Sequence, residues 1–286
     1  MMEFLNKNSN MPQKASLILG FFDGIHVGHR EVIKNCPNNK KILVTFSSSP
    51  AEFFNKNFEY IYPREYNYKL LEELGIDYIY EQKFEDVVSL SAEEYLEMLI
   101  KNFTPTTITS GENHTFGNNR IGNSLFLKNH EGMYKYFCTS ITKIGEEIVS
   151  SSRIKQLLSN GEIEKANQFL SKNFVIKSTV IDGAKLGRKL GFPTANLPYP
   201  KNIIRIPYGV YVAKVFNKPA IMNWGIKPTI GSNEIIEVHI PNFNKNLYGK
   251  LIEIEILGKI RDEKKFENLE ELELQIKKDV EICLRW

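Results

Sequence analysis

The chain is poor in cysteine: Cys36, Cys138 and Cys283 are odd in number, scattered and without paired spacing. That excludes a disulfide framework and offers no zinc pattern, so the three read as small apolar residues. No apolar run reaches membrane-spanning length, and the first dozen residues, rich in Asn and Met, lack the apolar core of a secretory leader. A cytoplasmic protein with no membrane partner is the expectation. Charge of one sign is also scarce, 37 Lys and Arg standing against 34 Asp and Glu for a formal net charge of +3. The two signs alternate instead of clustering, so no nucleic-acid partner is expected. Nothing repeats internally, no Gly-Lys-Ser or Gly-Lys-Thr follows a glycine-rich turn, and no fingerprint of three spaced glycines occurs.

What is present is a globular composition, 42% hydrophobic and 25% charged, over 286 residues, enough for two domains with separate cores. The most informative stretch is Gly20-Phe21-Phe22-Asp23-Gly24-Ile25-His26-Val27-Gly28-His29, which follows an apolar run over 15–19. The run predicts a short buried strand, and Gly20 and Gly24 permit a tight turn. Residues from Val27 onward predict a helix whose free amides and positive dipole end face an anion. His26 and His29, three apart, share a helical face and reach the same phosphoryl oxygens. Taken alone, the stretch also describes a surface loop holding two of the five histidines. Ser150-Ser151-Ser152-Arg153 opens a second helix that stops at Asn160-Gly161. Its hydroxyls either cap that helix or, with Arg153 as a bidentate cation, clamp a second face of an anion.

The first half alternates strand-like runs with helical patterns, as parallel α/β units do. Strands are predicted over 42–46, 76–80 and 106–109, with helices over 68–74 and from Ser91, where Glu94 completes a reciprocal cap, to about 100. Near residue 175 the pattern changes to short strands over 175–181, 209–216, 220–224, 235–240 and 251–260, separated by Gly, Pro and Asn turns. That spacing predicts a small antiparallel barrel or sandwich. Leu269, Leu272, Ile276, Val280 and Cys283, capped by Asn268, predict a final helix that covers it. Pro193-Thr194-Ala195-Asn196 on its own reads as a turn in a loop stiffened by the proline. Glu237 and His239 alternate with Ile236, Val238 and Ile240, so Glu237 projects from the apolar side, where a carboxylate either faces solvent or accepts a proton.

The stretch from Gly20 to His29 resembles the HxGH signature of nucleotidyltransferases. With Gly111-Glu112-Asn113-His114-Thr115-Phe116-Gly117, Ser150 to Ile154, Gly187-Arg188-Lys189-Leu190-Gly191-Phe192-Pro193-Thr194-Ala195-Asn196, Gly209-Val210-Tyr211, Asn223-Trp224-Gly225, Glu237-Val238-His239, Leu247-Tyr248-Gly249 and Arg261 through Phe266, nearly the whole chain is similar to the prokaryotic bifunctional riboflavin kinase/FAD synthetase family. The resemblance implies an α/β Rossmann-like nucleotidyltransferase domain over 1–174, followed over 175–286 by a mainly β Greek-key barrel with a C-terminal helix. It implies phosphorylation of riboflavin to FMN, then adenylylation of FMN to FAD, with ATP as co-substrate, Mg2+ as cofactor and pyrophosphate released. A monomer or weak homo-oligomer is expected.

By the same resemblance, His26 and His29 stabilise the ATP phosphates, while Gly20, Phe21, Asp23 and Gly24 shape the turn around the nucleotide. Asn113 contacts the nucleotide or the FMN phosphate, and Ser151, Ser152 and Arg153 close over the phosphates. Thr194 and Asn196 hold magnesium, and Glu237 is the base for the ribityl hydroxyl. Gly183, Lys185, Gly187 and Arg188 form the loop over the kinase ATP, and Arg261 with the residues near Phe266 borders the flavin. Asn113-His114 stands where the family has an aspartate and an aromatic, and Ser47-Ser48-Ser49-Pro50 replaces a Glu-Pro-His-Pro turn. A kinase with a weakened adenylyltransferase domain, and a non-catalytic flavin-binding regulator, are the alternatives left open.

Overall fold

Ser16–Leu19 is buried at all four positions, as a strand covered on both faces must be, and it is one of two central strands of the first sheet. The computed structural model of the chain describes residues 1–37, 40–54, 57–183, 187, 191–227 and 233–286. They form two compact units, Met1–Ser151 and Ser152–Trp286.

In the first unit, β1 (Glu3–Leu5), β2 (Ser16–Leu19), β3 (Lys41–Phe46), β4 (Tyr78–Gln82), β5 (Thr107–Gly111) and β6 (Lys135–Thr139) pair in the order β1-β4-β3-β2-β5-β6, all parallel. Parallel neighbours require crossovers. These run through α1 (Val27–Asn35), α2 (Pro50–Phe54), α3 (Arg64–Glu73), α4 (Phe84–Val87), α5 (Ala92–Phe103) and α6 (Ser124–Asn129), before a small hairpin of β7 (Lys143–Ile144) and β8 (Glu147–Ile148). Both halves of the cap on α5 form: the Glu94 amide donates to Ser91 Oγ at 3.1 Å and the Ser91 amide to Glu94 Oε2 at 2.8 Å. Strands β1 and β6 lie outside the predicted set, because neither shows a clean apolar alternation.

In the second unit, α7 (Ser151–Ser159) and α8 (Ile163–Leu170) precede a sheet of six antiparallel strands. Strands β9 (Phe174–Thr179), β10 (Thr194–Leu197), β11 (Gly209–Val215), β12 (Lys218–Lys227), β13 (Asn233–His239) and β14 (Leu251–Arg261) pair in the order β10-β13-β12-β11-β14-β9. An antiparallel bridge between Ile181 and Asn196, with the Ile181 amide 2.8 Å from the Asn196 carbonyl, joins the two outer strands and closes the barrel. Residues 252–256 alternate buried and half-buried as predicted. Of the stripe predicted for the C-terminal helix (Leu269–Arg285), Cys283 is buried, Leu272, Ile276 and Val280 are half-buried, and Leu269 is exposed. Asp279 is buried instead. Thr194 and Asn196, expected on a loop, lie on β10.

Candidate active site

Strand order in the parallel sheet reverses at β2 and β5, and that switch point is where open α/β sheets leave a crevice at their carboxyl ends. Leu19 at the end of β2, Gly111 at the end of β5 and Thr139 at the end of β6 line one cavity there, of about 340 Å³, together with His26, His29 and Ser151.

His26 does not enter α1, as the three-residue spacing implied, but caps it: its Nδ1 accepts the His29 amide at 3.3 Å. The two rings still meet, stacked with centroids 3.5 Å apart, and Phe22 stacks on His29 at 4.4 Å. An accepting Nδ1 leaves the His26 proton on Nε2. Burial lowers the pKa of His26 to about 4; burial, and then the neighbouring His26, holds His29 well below its ordinary value. Both are therefore neutral donors at pH 7.

The turn before them is held by three devices. Gly24 sits at φ 86°, and a Cβ there would stand 2.8 Å from Ile61 Cδ1. Ile25 follows at φ 43°, a region β-branched residues avoid, and its complete burial keeps it there. The Asp23 carboxylate, itself buried, accepts the Ile61 amide at 3.0 Å, and the Asp23 carbonyl accepts Ser151 Oγ at 2.9 Å. Asp23 thus ties the turn to residue 61 on one side and to the first residue of α7 on the other. Ser152 and Arg153 belong to the second unit, where the Arg153 guanidinium donates to Gln156 Oε1 at 2.8 Å.

Gly20, Phe21, Asn113 and His114 line the same cavity. A second cavity of about 610 Å³ shares Leu19, Gly20, Phe21, His114 and Thr115 with it and is mostly apolar, with Phe46, Phe54, Phe84 and Tyr95 in its wall and Ser49, Asn118, Asn119 and Arg120 among its polar residues. One side is braced where the Ser49 amide donates to Tyr60 Oη at 3.1 Å and Tyr60 donates to Glu52. Burial and then that carboxylate push the Tyr60 phenol up to about 12.

In the barrel, directly paired residues share a face. Asn196 pairs with Glu237, which pairs with Asn223, so β10, β13 and β12 set the two amides on either side of the carboxylate. Thr194 pairs with His239 in the next row, and His239 Nδ1 bonds the Pro193 carbonyl at 2.9 Å. Ile236 and Val238 are buried on the opposite face, as the alternation required. Gly183 lies flush against Asn196: a Cβ there would be 2.2 Å from Asn196 Nδ2. Thr194 lines a cavity of about 340 Å³ with Lys245, Asn246 and Tyr248. The Gly187 carbonyl accepts the Phe192 amide at 2.8 Å; Lys185 and Arg188 lie outside the described residues. Arg261 turns to the C-terminal helix, where Nη2 is 2.8 Å from Asp279 Oδ2, and lies 5.8 Å from the Phe266 ring centroid.

Phe54 and Thr142 also line these cavities and carried no motif signal, and Asn223, part of the resembling run but given no role there, faces Glu237. The register of β12 against β13 reveals Asn223; Thr142 follows the carboxyl end of β6, a strand missed in the sequence. Among the described residues no group of three or more His, Cys, Asp or Glu side chains could hold a metal, and no helix is long and apolar enough to cross a membrane.

The geometry brings together two candidate centres, a crevice with stacked histidines at the carboxyl end of the parallel sheet in the first unit and a barrel with a carboxylate between two amides in the second. The family model for FAD synthetase matches residues 8–153 and that for riboflavin kinase matches 170–286. The chain is 36% identical to the bifunctional riboflavin kinase/FMN adenylyltransferase of Buchnera aphidicola subsp. Schizaphis graminum, across 98% of this chain and 95% of that protein. It is 34% identical to the protein so named from Bacillus subtilis, across 96% and 92%. A crystal structure described as a macrolide-efflux protein from Streptococcus pneumoniae superposes with a TM-score of 0.91 at 27% identity, covering 99% of both chains. The chain belongs to the bifunctional riboflavin kinase/FMN adenylyltransferase family.

Proposed function

We propose that this chain makes FAD from riboflavin in two ATP-consuming steps, with adenylyl transfer over residues 1–174 and the kinase over 175–286. The observation that carries the reading is the pairing of two separately built centres, stacked neutral histidines at a helix start and a carboxylate between amides on a barrel, in one chain. The matched spans 8–153 and 170–286 support the division, although α7 and α8 pack in the second compact unit.

In the kinase step the Glu237 carboxylate accepts the proton of the terminal ribityl hydroxyl as its oxygen bonds the γ-phosphorus of ATP and ADP leaves. Thr194 and Asn196 supply neutral oxygens on one face of β10, a donor set that fits a magnesium ion whose remaining ligands are ATP phosphate oxygens and water. That ion, when bound, neutralises phosphate charge. Gly183 and Gly187 border the ATP phosphates, and Arg261 sets the edge of the flavin site.

In the adenylyl step a phosphate oxygen of FMN bonds the α-phosphorus of ATP and the bond to the β-phosphate breaks, releasing pyrophosphate. His26 and His29 donate to the phosphates as charge builds on them, at low reorganisation cost because stacking already fixes both rings. Asn113 and Ser151 hold the same phosphates. The polar cavity suits ATP and the apolar one the flavin ring.

Use of ATP in both steps supports a cytoplasmic location. Each unit builds its centre from its own residues, which supports a monomer or weak homo-oligomer. Purified protein given riboflavin, ATP and magnesium is expected to yield FMN and then FAD on chromatography. Absence of FMN rejects the kinase reading; FMN without FAD, under oxidising and reducing conditions, leaves a kinase with a weakened first unit.

A further inference from the structure

Two cavities meet at the carboxyl end of the parallel sheet, and among the described residues five, Leu19, Gly20, Phe21, His114 and Thr115, belong to the walls of both. Adenylyl transfer must happen at such a meeting point, since the acceptor phosphate of FMN has to leave the flavin's cavity far enough to touch the α-phosphorus of ATP. Among the five, His114 has the only ring carrying both a donor and an acceptor.

We propose that His114 is a positioning residue that orients the phosphate of FMN at the boundary between the two cavities. The proposal rests on the reading above, in which the polar cavity takes ATP and the apolar one the flavin.

Three observations support it. The His114 ring is held in place: it stacks on Phe116 with centroids 5.9 Å apart, and Phe116 is itself buried against Tyr95 and Phe126 at 5.5 and 5.7 Å. Its amide donates to the Gly111 carbonyl at 3.0 Å, which fixes the backbone at the end of β5. Among the described residues neither ring nitrogen has a hydrogen-bond partner, so the ring edge is available to a ligand although its face is packed. Burial also lowers the His114 pKa to about 4, so the ring is neutral at pH 7. A neutral N–H orients a phosphate without drawing off the electron density the attacking oxygen needs. A fixed cation at the same place would bind the dianion more tightly and blunt it.

The test uses the full-length protein and measures FAD formation with FMN varied at saturating ATP, then with ATP varied at saturating FMN. Riboflavin phosphorylation in the same preparation reports that the chain is folded. His114→Phe keeps the aromatic packing on Phe116 and removes both nitrogens. It is expected to raise the KM for FMN about tenfold, the worth of one hydrogen bond to a charged group, and to leave the KM for ATP unchanged. His114→Gln, which restores an N–H without the ring, should recover part of that loss; a purely packing role would reverse the order of the two variants. Phe54→Ala, in the wall of the apolar cavity alone, separates this proposal from the reading beneath it. If Phe54→Ala raises the KM for FMN while His114→Phe does not, the proposal falls and the cavity assignment stands. If neither changes it, the flavin is not in that cavity and both fall. A rise in the KM for ATP instead places His114 with the nucleotide and overturns the proposal.

Discussion

Asp279, buried in the middle of the C-terminal helix, holds Arg261 at the end of β14: the arginine Nε lies 3.2 Å from both carboxylate oxygens and Nη2 2.8 Å from Oδ2. Gln275 Nε2 completes the arrangement at 2.9 Å from Oδ1. Removing the acid leaves a largely buried guanidinium unpaired. Asp279→Ala is expected to lower the stability of the second unit by about 3 kcal/mol, read from urea unfolding. A change within error would show that the pair contributes nothing to the helix's attachment.

The two centres should be separable by mutation. His29→Ala is expected to slow FAD formation about a hundredfold, the usual effect of losing one phosphate-directed donor, while FMN formation stays at its original rate. Glu237→Gln should do the reverse, lowering the kinase kcat by at least about a hundredfold with flavin affinity nearly unchanged. Equal loss of both activities in either variant contradicts independent centres.

Acid should weaken the first unit. His26 and His114 titrate near 4 in the folded chain, and His29 is shifted the same way, whereas an unfolded histidine titrates near 6.5. As pH falls below about 6.5 the unfolded chain takes up protons that the folded one refuses, so stability is full above that value and is lost progressively toward 4. Calorimetry of the protein at pH 7, 6 and 5 should show the melting of this unit moving down in temperature. His26→Ala should flatten the trend.

Nucleotide binding should draw protons in. A triphosphate beside His26 and His29 opposes the burial that keeps them neutral and raises their pKa. Titration calorimetry with ATP near pH 6, repeated in buffers of different ionisation enthalpy, is expected to give heats that depend on the buffer. Identical heats would falsify phosphate contact with this pair.

Backbone geometry at the turn gives a further check. Gly24→Ala forces a side chain into a left-handed position and against Ile61, a strain of about 1–2 kcal/mol that shifts the turn carrying His26. Adenylyl transfer should fall sharply while riboflavin phosphorylation is kept, as assayed on one preparation.

The parallel sheet was legible wherever a strand is apolar throughout, as at 16–19 and 42–46, and illegible at β6, where Lys135 and Cys138 face solvent on an outer strand. The alternation at 252–256 and the capping pair Ser91 and Glu94 were explicit, because each depends on neighbours in the chain. Thr194 and Asn196 looked like a loop since Pro193 and the turn residues before it hide the strand; only pairing with β13 makes them one. The helix stripe predicted for Leu269 to Cys283 could not reveal that Asp279 would be buried along with Cys283, because its partner Arg261 lies 18 positions away. Spacing brought His26 and His29 together correctly but for a different reason, one as a cap and the other inside the helix.

The bridge from Ile181 to Asn196 holds the barrel's two outer strands to each other at that point, so its margins face one another there. The parallel sheet has two margins as well, and of these β1 is only three residues long. Should crowded or partly unfolded molecules of this enzyme stick to one another, the five residues of β6 are where strand-to-strand adhesion would begin.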